Sequence, residues 1–190
     1  MTWSRAIGSG LLALAAHGVA SAEQPAIASL LKPLGLRGYP AGVRPPHFTA
    51  PTLDDRTLDL AGLRGRVVIL NFWASWCLEC RPELPVFEQL HRELGPRGLV
   101  VIGVNNREDS TTVRRYAGEL GLSFPIVLDP DGKVNALYGV IGLPSTFLLG
   151  RDGRAVALAV GPREWAGASG RAIFDAMLAE PMPAPARETR

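Results

Sequence analysis

Cysteine is nearly absent from this chain, with two in 190 residues, and histidine is almost as scarce, with three. A structural zinc site draws four ligands from Cys, His and carboxylates. Two thiolates here have only His47 and His91 to call on once the N-terminal segment is set aside. A copper carrier meets the same shortage of soft ligands. No metal site is therefore expected, and none of the chemistry read below requires a cofactor. Charge of one sign is lacking too: 20 Lys and Arg against 18 Asp and Glu leave a net +2. With no basic stripe interleaved with aromatics, nucleic acid is excluded as the expected partner. Apolar runs long enough to span a bilayer are missing beyond the N-terminus, and no internal repeat is present. The length suits one compact domain plus tails.

What is there begins with the N-terminus. Arg5 precedes an apolar stretch from Ala6 to Ala16, and Ala20-Ser21-Ala22 matches the small-x-small cleavage pattern of a secretory signal peptide. Gly8, Ser9, Gly10 and His17 interrupt the run, which disfavours a retained spanning anchor. The expected division is a signal peptide over residues 1–22, a spacer over 23–46, a domain over 47–180 and a disordered Pro- and Ala-rich tail over 181–190. Export implies the periplasm, an oxidising compartment in which a cysteine pair rests as a disulfide.

Within the domain, Phe48-Thr49 and Thr57-Leu58 flank the turn-forming Asp54-Asp55, a small hairpin. Arg66 to Phe72 and Leu99 to Val104 are continuous apolar runs, as expected of strands covered on both faces. Leu84, Phe87, Leu90 and Leu94 lie on one face of a helix that Pro85 should kink and Gly95-Pro96 should end. Ser110 is the expected cap of a helix carrying Val113, Tyr116, Ala117 and Leu120. A strand over 124–128, a short helical turn over 133–139, a hairpin of strands 145–149 and 154–160, and a final helix over 169–179 follow. This order predicts an α/β fold: a central mixed β-sheet with helices on both faces.

Cys77 and Cys80 come directly after the first apolar run, in Phe72-Trp73-Ala74-Ser75-Trp76-Cys77-Leu78-Glu79-Cys80. A helix starting at Cys77 would put both sulfurs on one face, and its free N–H groups would stabilise a thiolate on Cys77. A disulfide closing so short a loop removes little unfolded-state entropy. The pair is better explained by chemistry than by stability.

These residues resemble a known family. FWASWCLEC after a buried strand, with Gly142-Leu143-Pro144-Ser145-Thr146 before a later one, looks like a thioredoxin-fold thiol–disulfide oxidoreductase. The extra αβ segment between Val104 and Tyr138 and the opening β-hairpin are similar to the TlpA/ResA group of exported reductases. The resemblance covers roughly residues 47–180 and implies a thioredoxin-like fold with an N-terminal β-hairpin and a central αβ insertion. It implies Cys77 as nucleophile and Cys80 as resolving thiol. It makes Pro144 the cis-proline opposite the pair, with Leu143 pairing with substrate backbone, and Trp76 apolar docking surface beside Cys77. It implies an oxidised protein substrate, an apocytochrome c or a metallochaperone-like copper-site protein, with electrons from a membrane thiol relay. A monomer is expected.

Leu78 and Glu79, between the cysteines, help set the potential. Either Glu79 opposes a thiolate on Cys77 and makes the couple more reducing, or it points to solvent and is screened. Glu83 is one turn beyond Cys80. In ResA-like proteins a glutamate at this spacing takes part in acid–base chemistry with the resolving thiol; without the resemblance it reads as a first-turn glutamate favoured by the helix dipole. Asn71 departs from thioredoxin, which has a buried aspartate six residues before the first cysteine, and asparagine cannot take a proton. Trp73 is expected in the core. The leading expectation is a disulfide reductase. A disulfide-forming oxidase, a peroxide-reducing relative and a binding domain with a structural disulfide are the alternatives.

Overall fold

The computed structural model describes residues 23–183. The signal-peptide reading of residues 1–22, and most of the tail expected to be disordered, fall outside them. The fold is built on β4 (Val67–Trp73), buried at every position. Alternation along it splits the interior in two. Val67, Ile69 and Trp73 enter one apolar cluster, and Val68, Leu70 and Phe72 enter another on the opposite face.

β4 pairs in parallel with β5 (Leu99–Asn106) and antiparallel with β7 (Ser145–Leu149). β6 (Ile126–Asp129) extends the sheet beyond β5, and β8 (Ala155–Val160) extends it beyond β7. A two-residue strand, β1 (Arg37–Gly38), completes the order β1-β8-β7-β4-β5-β6. The sheet is mixed, as predicted. The hairpin of β2 (Thr49–Pro51) and β3 (Thr57–Asp59) packs beside it, turning at Asp55, whose φ is 61°.

The first cluster is covered by α2 (Glu83–Leu94), α3 (Ser110–Glu119) and α5 (Ala168–Ala179). α2 buries Leu84, Phe87, Leu90 and Leu94. Each such side chain contributes roughly 1.5–3 kcal/mol when fully buried, so this face outweighs any helix propensity in fixing α2. α4 (Lys133–Leu137) contributes Val134 to the opposite cluster. Among the described residues no helix is long and apolar enough to cross a membrane.

The structure corrects four expectations. Residues 23–46 are not a spacer: they form α1 (Glu23–Leu31), a 3-10 turn and β1, and α1 packs on α5. Ile27, Leu31, Leu34 and Leu36 are all buried, which is what holds the segment down. The helix after the cysteines begins at Glu83 rather than Cys77. Pro82 and Pro85 lack the N–H groups that would bond back to residues 78 and 81, so i→i+3 turns fill Cys77 to Glu83 instead. Pro85 falls in the first turn of α2, where no intrahelical N–H bond is required, rather than in an interior it would kink. The cap of α3 is Asp109, which accepts from Thr112 N at 2.9 Å; Ser110 is the first helical residue.

Candidate active site

The site forms where β4 runs out. Trp73, its last residue, is fully buried and stacks on Tyr116 with ring centroids 5.7 Å apart, a core role as expected. The chain then turns through Ala74–Cys77, closed by the Cys77 N–H donating to Ala74 O at 3.2 Å. Cys77 and Cys80 are joined as a disulfide with their Cα atoms 5.3 Å apart. Cys80 is 1 % exposed and Cys77 6 %. No regular helix starts at Cys77, but the backbone N–H of Cys80 still donates to Cys77 Sγ at 3.2 Å. That local donor replaces the helix terminus as the group able to stabilise charge on Cys77.

Around the pair the surface is apolar. Trp76 is 64 % exposed and Leu78 86 %. Glu79 is exposed as well, so salt and water screen its charge. The Leu143–Pro144 bond is cis. Ser145 pairs with Phe72, and this register sets Pro144 beside the end of β4 and the turn that leads to Cys77. Gly161 N donates to Pro144 O at 2.8 Å, and the Ser145 hydroxyl to Gly142 O at 2.7 Å, fixing the loop. Ile141, at 94 % the most exposed large apolar side chain described, and the half-exposed Val160 extend the apolar surface on that side.

Glu83 is 4 % exposed, although it opens a helix. Its Oε1 accepts from the backbone N–H of Arg163 at 2.8 Å and from Trp165 Nε1, while Oε2 has no hydrogen-bond partner. Burial pushes its pKa up from 4.5 to about 7, with the two hydrogen bonds opposing the rise. Its N–H donates to Cys80 O at 3.1 Å, which ties it to the turn holding the second cysteine. Asn71 is buried at the register of Thr146, to whose Oγ1 its Nδ2 donates at 2.9 Å. It offers no proton to the site.

Some of this is invisible in the sequence. Trp165 lies 82 residues from Glu83, and no pattern joins them. Ile141 does have a signal, as an apolar residue just before Gly142-Leu143-Pro144. Glu108, which grips the turn before Cys77 through Ser75, carries no motif at all.

Known proteins resemble this chain in sequence and fold. The model of the AhpC/TSA family matches residues 41–157. The thiol-disulfide oxidoreductase ResA of Halalkalibacterium halodurans is 37% identical over 121 residues, 64% of this chain and 69% of that protein. ResA of Bacillus subtilis is 32% identical over 127 residues, 67% and 71% of the two. Among solved structures, a thiol:disulfide interchange protein of the thioredoxin family from Chlorobium tepidum aligns with a TM-score of 0.64 at 27% identity, covering 74% of this chain and 97% of that one. StoA from Bacillus subtilis aligns with a TM-score of 0.55 at 30% identity, covering 62% and 90%. With its redox disulfide at the end of a central strand of a thioredoxin fold, the chain belongs to the AhpC/TSA family and, within it, to the ResA-like thiol–disulfide oxidoreductases.

Proposed function

We propose that this enzyme works as a disulfide reductase on exported proteins, with Cys77 as nucleophile, Cys80 as resolving thiol and Glu83 as the group that exchanges a proton with Cys80. The observation that carries the reading is a buried carboxyl titrating near 7, one turn beyond a nearly inaccessible second cysteine. Cys77 thiolate attacks one sulfur of a substrate disulfide, forming a mixed disulfide and releasing the other sulfur as a thiolate. Glu83, as carboxylate, takes the proton of Cys80. Cys80 thiolate then attacks Cys77 Sγ, which closes the disulfide and releases the second substrate thiolate. Two electrons pass to the substrate; Glu83 returns the Cys80 proton to one product thiolate and solvent protonates the other, so the substrate leaves as a dithiol. A thiol relay in the membrane returns the enzyme to its dithiol form, because the surrounding compartment is kept oxidising.

Trp76, Leu143 and Pro144, with Leu78 beside the pair, form the apolar surface on which substrate backbone docks. The ResA resemblance points to oxidised apocytochrome c, or a copper-site assembly protein, as the substrate. The apolar, signal-like N-terminus supports a periplasmic location.

A Cys80→Ser variant, which stalls at the mixed disulfide, tests the assignment. The expected catch, identified by mass spectrometry, is a c-type apocytochrome or a copper-site protein bound through Cys77. Capture by a Cys77→Ser variant, with none by Cys80→Ser, would reverse the roles of the two thiols. A reduction potential near that of DsbA, about −120 mV, would overturn the reductive direction.

A further inference from the structure

The turn that delivers Cys77 is gripped from outside by a carboxylate that the chemistry above does not use. Glu108 follows the end of β5. Its Oε2 accepts from Ser75 N and from Asn105 Nδ2, both at 2.7 Å, and its Oε1 accepts from the Ser75 hydroxyl. Ser75 sits inside the Ala74–Cys77 turn, two residues before the nucleophile. Asn105 is fully buried and lies opposite Trp73 in the β4–β5 register. The clasp therefore ties the turn to the centre of the sheet at the level where β4 ends.

Glu108 reaches this position at a conformational cost. Arg107 before it is a non-glycine residue at φ 61°, a left-handed backbone in which its Cβ is crowded. Two contacts hold it there. Its N–H donates to Asp129 O at 3.0 Å, and its guanidinium lies so close against Gly132 that a Cβ added there would collide with Arg107 Nε. The Asp129 carboxylate is itself fixed by Val134 N, Asn135 N and Asn135 Nδ2. A chain reversal this well supported, ending in a carboxylate with three donors, is a device for holding one particular neighbour in place.

We propose that Glu108 is a positioning residue for the Cys77–Cys80 couple. It fixes the Ala74–Cys77 turn so that Cys77 Sγ is presented beside Pro144, and its negative charge opposes thiolate formation on Cys77. Hydrogen bonds to a carboxylate are roughly twice as strong as neutral ones, so the clasp resists being pulled open when a substrate docks on Trp76. The charge acts in the direction of a more reducing couple, the part that the exposed Glu79 is poorly placed to play. The proposal rests on Cys77 being the attacking thiol.

The test compares Glu108→Gln and Ser75→Ala with the parent, all in the reduced state. Iodoacetamide alkylation from about pH 4 to 10, with the labelled cysteine located by mass spectrometry, gives the Cys77 midpoint. Exchange with an oxidised peptide gives a rate constant per thiolate. Glu108→Gln keeps the shape and loses the charge. It should lower the midpoint, so that alkylation below it speeds up about threefold or more, while exchange per thiolate falls about tenfold. Ser75→Ala keeps the charge and loosens the turn, so the midpoint should hold while exchange falls severalfold. A Glu108→Gln protein with parent-like near-ultraviolet circular dichroism, and both constants within about twofold of the parent, overturns the proposal. Should that variant not fold, parent-like exchange in Ser75→Ala overturns it instead. Label appearing first on Cys80 in the parent would remove the Cys77 assignment on which the proposal stands, and is distinguishable because it needs no variant.

Discussion

Replacing Glu83 by glutamine asks the most of the structure. The side chain is buried, its Oε1 receives Arg163 N and Trp165 Nε1, and its Oε2 has no partner. Burial raises its pKa from 4.5 to about 7. Between those values the folded protein holds a proton that the unfolded chain has released, so stability is fully present below about pH 4.5 and falls as the pH rises to 7. At about 1.4 kcal/mol for each pH unit, ionising Glu83 in place costs on the order of 3 kcal/mol. Glutamine keeps the carbonyl acceptor and cannot ionise. The oxidised variant should match the parent near pH 5 and exceed it by about 3 kcal/mol at pH 8.5 in urea unfolding. His91, whose pKa burial holds down, titrates alike in both proteins and cancels in the difference. Disulfide exchange should move the other way, with the Gln variant losing the limb of the pH–rate profile near 7. A difference in stability that does not change between pH 5 and 8.5 would refute both the burial cost and the proton-exchange role built on it.

The remaining predictions concern the frame around the pair. Gly170→Ala, in α5, would ordinarily gain up to about 1 kcal/mol of helix propensity. Here the added Cβ would collide with Trp165 O, so a loss of about 2 kcal/mol or more is expected by thermal melting, with the Glu83 pKa disturbed through Trp165. Gly103→Ala would drive a Cβ to 2.8 Å from Trp73 Nε1 and 2.9 Å from Phe124 Cε2; it should cost about 1–3 kcal/mol and weaken the near-ultraviolet signal of the Trp73–Tyr116 stack. Arg151→Ala would strip the guanidinium from Gly65 O, Arg97 O and Leu178 O, at 2.8, 3.0 and 3.0 Å, and should cost about 2–3 kcal/mol in denaturant unfolding with exchange activity intact.

The centre of the fold was legible because its signals are local and redundant. β4 and β5 read as continuous apolar runs, and the four buried leucine and phenylalanine residues of α2 share one helical face. What escaped was short or depended on distant partners. α1 has nine residues with Pro33 just beyond, and β1 has two; neither is long enough to show a period, and both exist because α5 and β8 offer them a surface. The helix starts later than the cysteine spacing suggests, because that spacing suits a helix while two prolines forbid its bonding. At the site, the sequence identified the cysteines and the proline loop, since each stands in a motif. It left open whether Glu83 was an ordinary first-turn acid, because its burial is created by Trp165 and Arg163, some 80 residues away. Glu79 could face the pair or the solvent on paper; in the structure it is exposed.

The short strand β1 has a consequence for how the enzyme keeps company with unfolded chains. With Tyr39 N donating to Val156 O and Ala155 N to Val43 O, residues 37–43 occupy the outer rim of β8. Leu53 N donating to Ile126 O, and the Thr52–Val127 bridge, close off β6 at the other rim. Extended, unfolded polypeptide segments are the ones most prone to add themselves to an open sheet. Among the described residues, both rims are therefore partly covered, β8 by residues 37–43 and β6 by Thr52 and Leu53, which leaves less open backbone for an extended chain to join. A chain cut back to His47 would lose that guard along with the apolar cover of α5, and should self-associate or trap its clients instead of releasing them.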